Sequence, residues 1–141
     1  MAGGSAARLR GHPIGMGPRL IVDGNNVMGS RPDGWWRDRP GAARRLVGEI
    51  GARAAEEVLV VFDGRAPDPP PEAERVEVRY AGGGGRDAAD HVIAALVGAD
   101  DDPRSLRVVT SDAGLAARVR DHGAAVLGAG AFRASLSSGS P

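Results

Sequence analysis

The chain has 141 residues and contains no cysteine and no lysine. Without cysteine there are no disulfides, no thiolate metal sites and no cysteine nucleophile. Without lysine there is no Walker phosphate loop and no Schiff-base chemistry. No apolar run approaches the roughly 18 residues of a membrane span. Residues 1–18 carry Arg8 and Arg10 with no apolar stretch after them, so no secretory signal and a cytoplasmic location are expected. Net charge is missing as well: 18 arginines offset 18 acidic residues. That argues against an overall basic coat for nucleic acid and leaves local patches open. Arginine in place of lysine, with abundant Ala and Gly, has the look of GC-rich coding, so arginine number alone says little about function.

What is present is an alternation of short apolar runs and helical patterns. RLIVD (19–23) and VLVVF (58–62) read as buried strands. Residues 75–80 alternate like a strand nearer an edge, and 106–110 and 124–127 are two further short strands. Ala43, Leu46, Val47, Ile50 and Ala54 recur at helical spacing within 41–57. Helices are also expected over 87–97, with Val92, Ile93, Leu96 and Val97 inward, and over 112–122, with Leu115, Ala116 and Val119 inward and Gly123 as the stop. Residues 132–136 add a turn of helix. Residues 29–40 and 63–71, rich in Pro and Gly, read as loops, and 82–85 as a flexible link. The ordered domain is expected over 19–136, between a disordered lead (1–18) and tail (137–141). Strands alternating with helices imply a three-layer α/β/α fold around a parallel sheet of about five strands.

The placement of aspartate is the informative feature. Asp23 and Asp63 end the first two strands, Asp87 and Asp90 open the third helix, and Ser111 and Asp112 follow the fourth strand. In an open parallel sheet all of these lie at the carboxyl edge, where ligands bind. Converging carboxylates repel one another unless a cation neutralises them, and an oxygen-only set suits Mg2+ or Mn2+. Each residue alone has a plainer role. Asp87, Asp90 and Ser111 sit where helix caps belong, and Asp63-Gly64 is a common turn. Asp23 followed by Gly24-Asn25-Asn26 is harder to explain by a turn. His12 lies in the lead, His91 packs or faces solvent, and His122 suits a helix end. Asp100–Asp102 reads as a solvated acidic loop. The glycines at 82–85 lack the third glycine of a dinucleotide fingerprint, which would fall at Asp87.

LIVDGNNVMG, VVFDG, RDAADHVIAAL and VVTSDAGLAARVRDHGA, in that order, resemble the NYN branch of the PIN-like nucleases, and its YacP-like group in particular. The resemblance runs from Arg19 to Phe132. It implies a sheet of order 3-2-1-4-5 and metal-dependent hydrolysis of RNA, with endonucleolytic action expected. Matched by motif, Asp23, Asp90 and Asp112 hold the metal, and Asp87 and Asp63 ligate a second ion or orient its waters. The family often has glutamate where this chain has Asp87. Asn26 and Ser111 fix the carboxylates by hydrogen bonds, while Asn25 falls at a position the family varies. The resemblance further implies RNA as substrate, and the ribosome or other RNA-processing machinery as partner. Nothing visible reads a 2′-hydroxyl, so DNA stays open.

Substrate grip must then come from arginine. Residues 1–53 hold nine Arg against four acids, 54–103 four against twelve, and 104–141 five against two. An acidic middle between basic ends fits a metal crevice with an arginine rim. In the first loop Arg31, Arg37 and Arg39 are placed to contact phosphate, and Trp35 and Trp36 to stack on a base; the plainer role for the tryptophans is core packing. Three rival functions are weighed. A haloacid-dehalogenase-like phosphatase needs a second Asp where this chain has Asn25, and a lysine. A toxin of a toxin–antitoxin pair usually starts differently from DGNN. A PIN-like module that holds RNA or protein with little or no catalysis is the main alternative.

Overall fold

The computed structural model describes residues 17–137 apart from 84 and 86. Most of the expected lead and tail, His12 included, lies outside the described residues. In chain order the elements are β1 (Leu20–Asp23), α1 (Gly24–Met28), a 3-10 turn (Trp35–Arg37), α2 (Arg39–Arg53), β2 (Val58–Phe62) and β3 (Val76–Tyr80). There follow α3 (Ala88–Ala99), a second 3-10 turn (Pro103–Ser105), β4 (Arg107–Val109), α4 (Ala113–Asp121), β5 (Ala125–Leu127) and α5 (Ala129–Ser137). No helix among the described residues is long and apolar enough to cross a membrane.

The five strands form one parallel sheet of order β3-β2-β1-β4-β5. The expected three-layer PIN-like architecture is the one found. Alternation along the strands sorts the core into two layers. Leu20, Val22, Val58, Val60, Phe62 and Val109 face α2 and α5. Ile21, Leu59, Val61 and Val108 face the other way, onto α3 and α4. β1 and β2 are buried throughout, as strands covered on both faces must be, whereas β3, at one edge, is only half-buried. Val92 and Leu96 are half-buried against the second layer rather than fully inside.

After β1 the chain builds outward through β2 and β3, then returns to place β4 on the other flank of β1. The strand order therefore reverses at β1/β4. Their carboxyl ends open the crevice in which such sheets bind ligands.

Several elements differ from the sequence reading. The Gly-Asn-Asn segment, hard to explain by a turn, forms the start of the short helix α1. α2 begins at Arg39, because Asp38 accepts the Gly41 N–H as its cap and Pro40 occupies its first turn, and it stops at Arg53, where Ala54 turns extended. α5 spans 129–137, so the expected tail begins with a helical residue, Ser137. Asp100 is not merely solvated: both its oxygens accept from the Arg19 guanidinium, at 3.1 and 2.8 Å. Gly123 stops α4 as expected, at φ 102°.

Gly24 is required by space. A Cβ there would stand 2.6 Å from the Phe62 ring and 3.0 Å from the Val61 carbonyl. Gly24→Ala must push β2 away from α1, which we expect to cost about 1–3 kcal/mol. The urea midpoint should fall with an unchanged slope, and an unshifted midpoint would show that the contact is soft.

Candidate functional site

α1 leaves β1 directly, and its two asparagines tie down the neighbouring loops. Asn25 Oδ1 accepts the Asp63 N–H at 2.7 Å, fastening the end of β2. Asn26 Oδ1 accepts the Ser111 N–H at 2.7 Å, fastening the loop after β4. Asn26 therefore acts on the loop backbone, and its N–H faces Asp23 closely enough to favour the charged carboxylate. Asn25, at a position the family varies, has an equally definite job here.

Asp23 is 3 % exposed. Its Oδ2 accepts the Thr110 hydroxyl at 2.9 Å, and Thr110 Oγ1 accepts in turn from the Asp112 N–H at 3.1 Å. Thr110 is the residue that the sequence reading missed. Its signal is a hydroxyl at the end of the buried run LRVVT, beside the strand that carries Asp23.

The remaining carboxylates arrive on loop ends and helix starts. Asp63 Oδ1 accepts from the Ala89 N–H at 2.8 Å, so Asp63, not Asp87, caps the first turn of α3. Asp87 occupies the cap position without making a cap bond. Asp90 follows in the first turn. Asp112 caps α4 through the Leu115 N–H at 2.9 Å. Ser111 does not cap that helix; its Oγ accepts the Ala129 N–H at 2.8 Å and so holds the start of α5.

These charges act on one another. Burial raises the Asp23 carboxyl to about 6; the Thr110 hydrogen bond and the nearby Asn26 N–H oppose the shift, and the charges of Asp90 and Asp63 add to it. Asp90 is also raised, by burial first and then by the charges of Asp112, Asp87 and Asp63, with His91 opposing. Among the described residues no arginine forms an ion pair with any of the five aspartates. The result is a crevice of like charge at the sheet edge.

Among the described residues no three acidic or histidine side chains are drawn into a closed metal cage. In kind, the donors fit a hard divalent cation. They are all oxygens, and Mg2+ keeps several waters and takes one or two carboxylates rather than an all-protein shell. Histidine plays no part in that set: His91 is exposed, with Nδ1 3.4 Å from Arg118.

The expected substrate-binding residues divide into three groups. Trp36 is 49 % exposed, with Arg37 5.8 Å over its ring. Trp35 packs partly against the core, with Arg39 5.3 Å over its ring. Arg31 turns away to donate to Ser137 Oγ at 2.6 Å. Arg133, also unforeseen, is buried in α5 and donates to the Val27 carbonyl at 2.9 Å and to Asp33 at 3.1 Å. Asp33 in turn accepts the Trp35 N–H at 3.2 Å, so α5 sets both the end of α1 and the tryptophan turn.

A family model described as the YacP-like NYN domain matches residues 20–140. The structure is similar to that of Rae1 (YacP) from Bacillus subtilis, with a TM-score of 0.67 at 24% identity, covering 90% of this chain and 75% of that one. A mutant of the same protein matches with a TM-score of 0.65 at 25% identity, covering 84% and 74%. No curated protein matches the chain.

The raised Asp23 carboxyl has a measurable consequence. Between the unfolded value of 3.8 and the folded value of about 6, the folded chain holds a proton that the unfolded chain releases. The stabilisation from this group is therefore complete below pH 4 and lost as the pH rises through 6. Asp23→Asn should stabilise the metal-free protein at pH 7 by about 2–3 kcal/mol, with the advantage vanishing near pH 4. Urea melts at the two pH values test this, and a variant no more stable than the parent at pH 7 would refute it.

Proposed function

This chain belongs to the YacP-like NYN domain family, and from that premise we propose that it is a metal-dependent ribonuclease cutting RNA phosphodiesters internally at the acidic crevice. The observation that carries the proposal is a nearly inaccessible Asp23, joined at the sheet's switch point by four more aspartates that no described arginine neutralises. A fold gains nothing from such repulsion, whereas a cation-assisted site requires it.

In this reading Asp23, Asp90 and Asp112 hold the cation, which is Mg2+ or Mn2+. When bound, the cation supplies neutralisation of the phosphate oxygens and a lowered pKa for the attacking water. The chain's own groups do the positioning. Thr110 occupies Oδ2 of Asp23 and so fixes the direction of the carboxylate. Asn26 holds the loop that carries Asp112, and Asp112 spends Oδ1 on its own helix. Asp63, likewise committed through Oδ1 to its helix α3, serves with Asp87 to ligate a second ion or to orient the waters of the first. Arg37, Arg39 and the exposed face of Trp36 provide the grip on the strand. RNA is the proposed substrate, in the cytoplasm and in the company of the ribosome or other RNA-processing machinery. Hydrolysis by water leaves 5′-phosphate and 3′-hydroxyl ends.

The second reading, a module that holds RNA or protein without cutting, draws on the open spacing of the carboxylates. Labelled structured RNA and its DNA counterpart, incubated with Mg2+, Mn2+ or chelator, separate the two. Metal-dependent cutting should occur and fall to background in Asp23→Asn. A 2′,3′-cyclic phosphate product would exclude the hydrolytic route, and an inert protein that binds no Mn2+ would favour the binding module.

Thr110→Val tests the positioning role. Loss of the hydroxyl should cut the rate about 10–100-fold. Because that hydrogen bond opposes the raised Asp23 carboxyl, the acid limb of the pH–rate profile should also move to higher pH. A slower enzyme with an unmoved limb would leave Thr110 a merely structural role.

A further inference from the structure

A groove of about 540 Å³ opens beside the acidic crevice, between the first turn of α2, the carboxyl ends of β2 and β3, and the loop from Asp63 to Pro67. Asp63 and Asn25 line the groove as well as the crevice, so the two are continuous. One wall is formed by the half-buried Tyr80, backed by the buried Phe62. Phe62 and Tyr80 stack with centroids 5.1 Å apart and planes 25° apart. Tyr80 is a neutral phenol at neutral pH, and burial pushes its pKa further up. At the rim stand Arg39 and Arg65, both exposed, and neither forms an ion pair among the described residues.

The distribution of charge selects the occupant. The inner lining around Tyr80 is uncharged, the rim is cationic, and the corner at Asp63 is anionic. A free anion has no place on that lining beside a carboxylate. An aromatic ring that carries phosphates at its outer side meets all three demands. The volume falls within the roughly 300–1,000 Å³ of sites for one small ligand, enough for a single nucleotide and too small for a paired strand. We infer that this groove is a nucleobase subsite, which receives one unstacked base of the RNA beside the scissile phosphate, with Arg39 and Arg65 on the backbone at its rim. The inference rests on the proposed reading that the adjoining crevice acts on RNA. It adds a requirement that the crevice alone does not impose: a base must leave its stack to enter.

The full chain carrying Asp23→Asn, which should bind without cutting, is titrated with labelled eight-nucleotide RNAs, with and without Mg2+. Each RNA has one abasic position. One position, or two adjacent ones, should weaken binding roughly tenfold when the base is removed, in line with the loss of one aromatic stack. Tyr80→Leu should flatten that pattern, while Arg65→Ala should weaken all the RNAs alike. Since Tyr80→Leu also alters the β3 edge, its thermal melt is taken first. A variant-free check replaces the sensitive base by 4-thiouridine, whose photo-crosslink should map to the ends of β2 or β3. A flat abasic profile, a profile that survives Tyr80→Leu, or a crosslink elsewhere overturns the proposal and leaves the groove to a protein side chain. Absence of RNA binding also overturns it. Cleavage by the unaltered chain is scored separately. Binding with a base-specific profile but no cutting defeats the nuclease reading alone, and cutting with a flat profile defeats the subsite alone.

Discussion

Asp23 sits at the end of the central strand, nearly out of reach of solvent, and its carboxylate is held by the hydroxyl of Thr110 on the neighbouring strand. Burying a carboxylate costs free energy unless it is hydrogen-bonded or paired. The structure meets that demand with the Thr110 hydroxyl, and no arginine among the described residues pairs with Asp23. This is too little to keep the group at its ordinary pKa, which accounts for the upward shift. The same hydroxyl accepts from Asp112, so the β1–β4 junction, where the sheet order reverses, is also where the acidic residues are brought into register.

α1 extends that constraint sideways. It has only five residues, too few to be stable alone, and it is held from above and below. Gly24 lets it press against Phe62, Asn25 and Asn26 reach the two flanking loops, and Arg133 closes its far end from α5. Val27 and Met28 also bury α1 in the core. The polar contacts are geometric ties that align three strand ends relative to one another, and the Arg133–Asp33 pair carries the alignment on to the tryptophan turn.

Charge is segregated accordingly. Asp63, Asp87 and Asp90 from the acidic middle of the chain supply most of the crevice, and Arg39 and Arg65 stand at the margin of the groove beside it. A net charge of zero thus hides a division of charge along the chain, and a cleft lined by one sign of charge focuses the field. The aromatic groove beside Asp63 lies where these two regions meet.

The sequence by itself determined the class of fold and the set of candidate acids. Five short strands alternating with helical spacing leave few alternatives to a doubly covered parallel sheet, and strand-terminal aspartates must emerge on one edge. The family motifs DGNN and TSD narrowed the sheet order. What only the tertiary structure decided is the division of labour among those acids. Which helix Asp63 caps, why Asp87 stays uncommitted, and why Thr110 matters all depend on contacts between segments far apart in the chain. Asp63 lies 26 residues from Ala89, and Asp23 lies 87 from Thr110. Periodicity reports which face a residue occupies, because it follows from the local geometry of helix and strand. It carries no information on which strand end stands beside which. That is settled by the strand order and by the close packing that Gly24 and α1 permit.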